Sequence, residues 1–124
     1  MDDAVATALE RDRVVDITTT GRSSGEARRL EIWIHHLGGR HYITGTPGPR
    51  AWYANLVADQ QFVLHLKESA TADLPATARP ITGDAERREV FGALLPGLPF
   101  ETKQEEWLER SPLVEVELSD PSKT

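Results

Sequence analysis

The sequence contains no cysteine, which excludes disulfides, thiolate metal sites and cysteine nucleophiles and fits a cytoplasmic protein. It also lacks any apolar run near the roughly 18–20 residues that a membrane-spanning helix needs. The start, Met1-Asp2-Asp3, has no basic region followed by an apolar stretch, so no secretory leader is expected. A basic excess is missing too. The net charge is −6, whereas a nucleic-acid binder normally carries a basic stripe, so nucleic-acid binding and attraction to an anionic membrane are not expected. No Gly-x-Ser-x-Gly elbow, P-loop or Gly-x-Gly-x-x-Gly is present, and usual support for hydrolase and dinucleotide-fold dehydrogenase readings is absent.

What remains is a chain of 124 residues, enough for one domain with its own core, expected to span 1–124. The charge is unevenly placed. Through Lys67 there are eight basic and eight acidic residues; beyond it, six and twelve. The acidic excess therefore lies in the second half, and the first half holds a concentration of arginine that needs a reason.

Residues 2–10 read as a short helix, with Asp2 and Asp3 near its positive end. Val14–Thr20 is rich in β-branched residues and reads as a strand. After the turn Gly21–Gly25, residues 28–37 alternate: Leu30, Ile32 and Ile34 on one face, Glu31, Trp33 and His35 on the other. Gly38-Gly39 signals a hairpin into a strand over 40–46. Residues 50–59 read as a helix with Trp52 and Leu56 on one face, and 61–67 as a strand. Pro75 and Pro80 place 70–81 as an extended edge. Asp84 reads as the cap of a helix over 85–95, followed by a helix over 103–110, a strand over 113–118 and a frayed tail from Pro121. The pattern predicts an α+β, mainly β architecture: a small antiparallel barrel with helices packed on it.

Two stretches carry the functional signal. In Thr18-Thr19-Thr20-Gly21-Arg22-Ser23-Ser24-Gly25-Glu26-Ala27-Arg28-Arg29, a strand runs into a glycine-bounded, serine-bearing turn that leaves through two arginines. Guanidinium forks and exposed turn N–H groups together suit an anion, although a solvated hairpin tip would look the same. In Gly48-Pro49-Arg50-Ala51-Trp52-Tyr53-Ala54-Asn55-Leu56, a Gly-Pro loop opens a helix whose first N–H groups lack internal partners. Every helix has such an end, so it is the pairing of the two stretches that points to a phosphorylated cofactor. Trp33 is placed either to stack on a flat ring or to fill a core or subunit interface. Trp52 and Trp107 read as core anchors. His35 and His36 are adjacent and point to opposite faces, while His41 and His65 lie on other strands, so no metal site is expected.

In order, Ile17 through Arg28, Trp33, and Trp52-Tyr53-Ala54-Asn55-Leu56-Val57-Ala58-Asp59 resemble the deazaflavin-dependent nitroreductase family, split β-barrel flavin/deazaflavin oxidoreductases of actinobacterial type. The resemblance implies a split β-barrel that binds coenzyme F420, a deazaflavin, and transfers hydride from its reduced form to a small acceptor such as a quinone, nitro or ene compound. It implies phosphate contacts at Arg22, Arg28 and the helix start at Arg50 and Ala51. It places Trp33 and Thr44 near the ring, with Trp52 and Asn55 on the helix beside it. Ser23 stands where relatives often carry a lysine or arginine, and a lysine of the loop before the helix has no counterpart except Arg50. The catalytic residue is open: a proton would come from solvent, His35 or Tyr42. The alternatives are an FMN-binding split barrel and a non-catalytic ligand- or partner-binding barrel. A two-fold homodimer through the face of Trp33, His35 and Leu37 is expected.

Overall fold

A computed structural model describes residues 2–118. The elements follow the order α1 (Asp3–Arg11), β1 (Val14–Thr20), β2 (Ala27–Leu37), β3 (Arg40–Thr44), α2 (Ala51–Ala58), β4 (Gln61–Leu66), β5 (Ala72–Pro80), α3 (Asp84–Leu94), α4 (Gln104–Arg110) and β6 (Leu113–Leu118). A 3₁₀ turn, Leu95–Gly97, follows α3. The tail expected from Pro121 lies outside the described residues.

Local chemistry explains most boundaries. Asp2 caps α1, its carboxylate accepting from the Ala4 N–H at 2.7 Å. Gly38 and Gly39 have φ of 55° and 81°, and two consecutive positive φ values are what a two-residue hairpin between right-twisted strands requires. The strands run in the order β1-β2-β3-β6-β5-β4, every pair antiparallel, and form a closed barrel. Alternation then sorts the walls: Val15 and Ile17 of β1, Ile34 of β2, Ile43 of β3, Leu64 and Leu66 of β4, Ala76 and Ala78 of β5, and Val114 and Val116 of β6 fill the interior. Ala8 and Leu9 of α1 and Trp52 and Leu56 of α2 join that core. A second cluster seats α3 and α4 on the barrel through Phe91, Leu94, Trp107 and Leu108, packed on Tyr42, Ile81 and Leu113.

Three expectations are corrected. Strand β3 ends at Thr44, two residues early, because Gly45 begins the loop to α2. Asp84 is the first residue of α3 rather than its cap; Gly83 holds the cap position, and the Asp84 carboxylate instead pairs with Arg88 one turn on at 2.9 Å. Strand β5 is not a free edge. It pairs with β4 over 72–77 and with β6 over 76–80, because a barrel closes by pairing its last strand. Pro75 sits where, among the described residues, β4 alone is its neighbour, so a missing N–H is tolerated there.

Candidate functional site

The turn between β1 and β2 folds over the start of α2. Gly21 bonds its N–H to the Glu26 carbonyl at 2.8 Å and accepts from the Gly25 N–H at 2.8 Å, closing the loop. Gly25 has φ of 71°, a conformation that favours glycine. A Cβ on Gly21 would lie 2.7 Å from Ser24 Oγ and 3.3 Å from the Glu26 carbonyl oxygen, so a side chain there would have to displace the Ser24 hydroxyl. Asn55 of α2 reaches across: its Oδ1 accepts from the Arg22 backbone N–H and from Arg22 Nη1, both at 3.1 Å. Its Nδ2 donates to Thr19 Oγ1 at 3.1 Å.

Between these elements lies a groove of about 430 Å3, lined by Thr19, Gly21, Arg22, Ser23, Ser24, Arg28, Arg29, Leu30, Ala51, Trp52 and Asn55. Three arginines and two serines line it, and no carboxylate does. Among the described residues Arg22 has no carboxylate partner, and Arg28 has only the exposed Glu26 at 3.4 Å. Arg29 is tied to Asp16 at 3.0 Å. Helix α2 has no side-chain cap, which leaves the N–H groups of its first turn for an anion. This donor set fits a phosphodiester-bearing coenzyme: several converging N–H donors, no competing acid, and an apolar margin from Leu30 and Trp52.

Of the eight residues expected to hold a cofactor, the groove gathers Arg22, Arg28, Ala51, Trp52 and Asn55. Arg50 turns away. Its guanidinium donates to the Pro49 carbonyl at 3.0 Å, to the Thr46 carbonyl at 3.0 Å and to Thr46 Oγ1 at 2.5 Å, holding its own loop closed. Thr44 is buried and gives its hydroxyl proton to the Pro112 carbonyl. Trp33, 40% exposed, stands on the outer face of β2, five residues and one face away from Arg28, a displacement of about 17 Å along a strand. Neither open proton donor lines the groove. Tyr42 is buried in the α3–α4 cluster, where burial and Glu115 push its phenol above the usual range. His35 lies beside Arg13 in a separate cavity, and burial pushes its imidazole below the usual value.

Sequence reading placed Thr19, Ser23, Ser24 and Arg29 in the anion-binding stretch without naming them as contacts, and missed Leu30 as a groove residue. It also missed that His36 and His41 are cross-strand partners, with ring centroids 4.5 Å apart. Among the described residues no group of three metal-ligating side chains comes together. A larger cavity of about 600 Å3 lies on the other flank of the α2 start. It mixes Arg50, Arg87 and Arg110 with Asp84 and Glu109, so its charges compensate, and the acid-free groove is the stronger anion site.

The barrel, with its match to a reductase family, is that of a deazaflavin-dependent oxidoreductase. The chain belongs to the F420H(2)-dependent quinone reductase family, whose model matches residues 2–118. Among solved structures it is similar to an F420 reductase (14% identity over 97% of each chain, TM-score 0.65). It is also similar to a Listeria innocua protein assigned to the pyridoxamine 5′-phosphate oxidases (10% identity, 95% of this chain and 93% of that one, TM-score 0.66). A third similar structure is a domain-swapped dimer (21% identity, 86% of this chain and 81% of that one, TM-score 0.61). Among the described residues no helix is long and apolar enough to cross a membrane.

Proposed function

We propose that this chain acts as one domain that holds coenzyme F420 by its phosphate in the Arg22–Arg28 groove and passes hydride equivalents to a small quinone-type acceptor. The single observation that carries the site assignment is the acid-free groove, with two arginines lacking strong carboxylate partners beside an uncapped helix start. When bound, F420 supplies the hydride chemistry itself. The chain's own residues bind and orient. Arg22 and Arg28 donate charge-assisted bonds to the phosphate oxygens, and the Ala51 and Trp52 N–H groups add the helix-end dipole. Leu30 and Trp52 exclude water along the apolar margin. Arg50 contributes by fixing the loop that leads into α2 rather than by touching the anion, and Thr44 by fixing the end of β3.

The cysteine-free sequence supports a cytoplasmic site of action. A homodimer through the outer wall of β2 belongs to the same reading, and exposed Trp33 supports it. That patch is smaller than the alternation implied, because Leu37 packs against the α3–α4 cluster.

Titration of the purified protein with F420, followed by the coenzyme's fluorescence, tests the reading, with menadione reduction by F420H2 as the activity arm. Saturable binding and turnover are expected. Protein that purifies with a flavin absorbance band and ignores F420 would replace this reading with FMN, and protein that binds neither would make it a non-catalytic barrel.

A further inference from the structure

Asn55 is 4% exposed, and the structure uses both ends of its amide inside the protein. The Oδ1 atom takes two donors from Arg22, one backbone and one guanidinium, while Nδ2 donates to Thr19 Oγ1. The orientation of the amide is settled by these partners, since only the oxygen can receive N–H donors. Thr19 is 1% exposed on β1, and Arg22 lies just beyond the end of the same strand. A single side chain of α2 thus locks the buried end of β1 and the first exposed arginine of the turn into one unit.

We infer that Asn55 is a positioning residue for Arg22 rather than a contact of the anion. Its two bonds fix the backbone at Arg22 and draw one guanidinium nitrogen inward, which aims the remaining N–H groups across the groove toward Arg28 and the start of α2. Thr19 is the second member of the clasp, because it sets the rotation of the amide. The inference rests on the groove reading above, but its structural half holds in the cofactor-free protein. In the folded apo chain the Arg22 amide is held by an acceptor on a buried side chain, so it should exchange slowly for a turn residue.

The test pairs amide hydrogen exchange of the apo protein with F420 titration. Asn55→Ala should speed exchange at Arg22 by at least about tenfold while the Ile17 amide, deep in β1, stays protected, and should weaken F420 binding by about tenfold. Asn55→Asp keeps an oxygen for Arg22, and the Thr19 hydroxyl can donate to it, so Arg22 protection should persist. If Asn55→Ala does not fold, Thr19→Val reads the same clasp and should also speed exchange at Arg22. Weaker F420 binding with Arg22 exchange unchanged would mean that Asn55 touches the coenzyme itself, and overturns the inference. So does faster exchange with F420 binding unchanged, or no change in either. Wild-type protein that binds no F420 would overturn the functional reading and the binding half of this one, while the exchange data still decide the clasp.

Discussion

The molecule treats its arginines in two ways. On the α3 side every guanidinium nitrogen of Arg79 and Arg87 has a partner. Arg87 gives its guanidinium to the carbonyls of Ile81, Trp107, Leu108 and Ser111, at 2.6–3.2 Å, and lies 5.2 Å over the Phe91 ring. Arg79 bridges Glu86 and Glu115, which raises its own pKa and holds the Glu86 carboxyl below the usual range. At the groove, Arg22 bonds only an uncharged amide and Arg28 meets one exposed carboxylate. The lesson is that arginine content does not mark a site. What marks it is arginine whose donors the fold leaves unmatched; even at the groove Arg29 is matched by Asp16, and Arg22 and Arg28 are the ones left over.

Removing a matched arginine should break the fold. Arg87→Ala takes a donor from four carbonyls, of which Trp107's keeps the Ser111 N–H, and unties the junction of α3, α4 and β6, with an expected loss of about 3 kcal/mol. Thermal melting should fall by about 10 °C. A melting point within 2 °C of wild type, on the order of the effect of a neutral surface change, would erase the distinction drawn here.

Removing an unmatched one should spare the fold and damage binding. Arg28→Ala is expected to weaken F420 affinity by about 10- to 150-fold, the range for a charge-assisted contact, with melting almost unchanged. Arg50→Ala sharpens the same contrast. Its guanidinium serves its own loop, so its effect on F420 affinity should be clearly smaller than that of Arg28→Ala. Equal losses from the two variants would place Arg50 on the anion after all.

How much of this was legible beforehand follows from range. The strands, α2, the Gly38-Gly39 hairpin and the two arginine-bearing stretches are local signals, written in alternation, glycine and proline. Barrel closure is not local, which is why Pro75 and Pro80 read as an edge although β5 pairs on both sides. The face of a side chain is also legible, since Trp33 was placed opposite Leu30 and Ile34. Its distance from the groove was not, because that depends on how far β2 runs past the turn. Arg50 misled for a different reason: sequence shows a charge at a helix start but not that Thr46 and Pro49 lie within its reach. The pairing of His36 with His41 depends on register, fixed only once the two-residue hairpin is built.

The histidines give a smaller effect at the end of the barrel nearest α1. Burial is the leading cause that pushes His35, His36 and His41 below the usual imidazole value of 6.5; Arg13 adds to it at His35, while Glu10 opposes it at His36 and His41. The unfolded chain takes up protons near the usual value and the folded one resists. Stability is therefore full above about pH 7 and falls as pH drops through the unfolded value. Melting temperature should decline between about pH 7.5 and 5.5, and His36→Leu with His41→Leu should flatten that slope. An unchanged slope would show that these two rings titrate as freely folded as unfolded. The carboxylates of Asp16, Asp73 and Glu86, held below their usual range by Lys67, His65 and Arg79 respectively, lose their contribution at lower pH and do not confuse the comparison.

Trp33 should give the smallest effect, and it separates surface from site most cleanly. The residue is 40% exposed and stands on the outer face of β2, so truncation removes partly covered surface but opens no cavity in the barrel. Trp33→Ala is expected to lower stability by about 1 kcal/mol, well below the loss from Arg87→Ala. Because the side chain lies on the wall opposite Arg28 and Leu30, F420 affinity of a monomer should change by less than about twofold. In a dimer joined through this wall the same substitution should shift the mass seen by light scattering toward one chain at micromolar concentration. Loss of F420 affinity with no change in mass would bring the ring of Trp33 to the coenzyme and require β2 to present its outer face to the ligand.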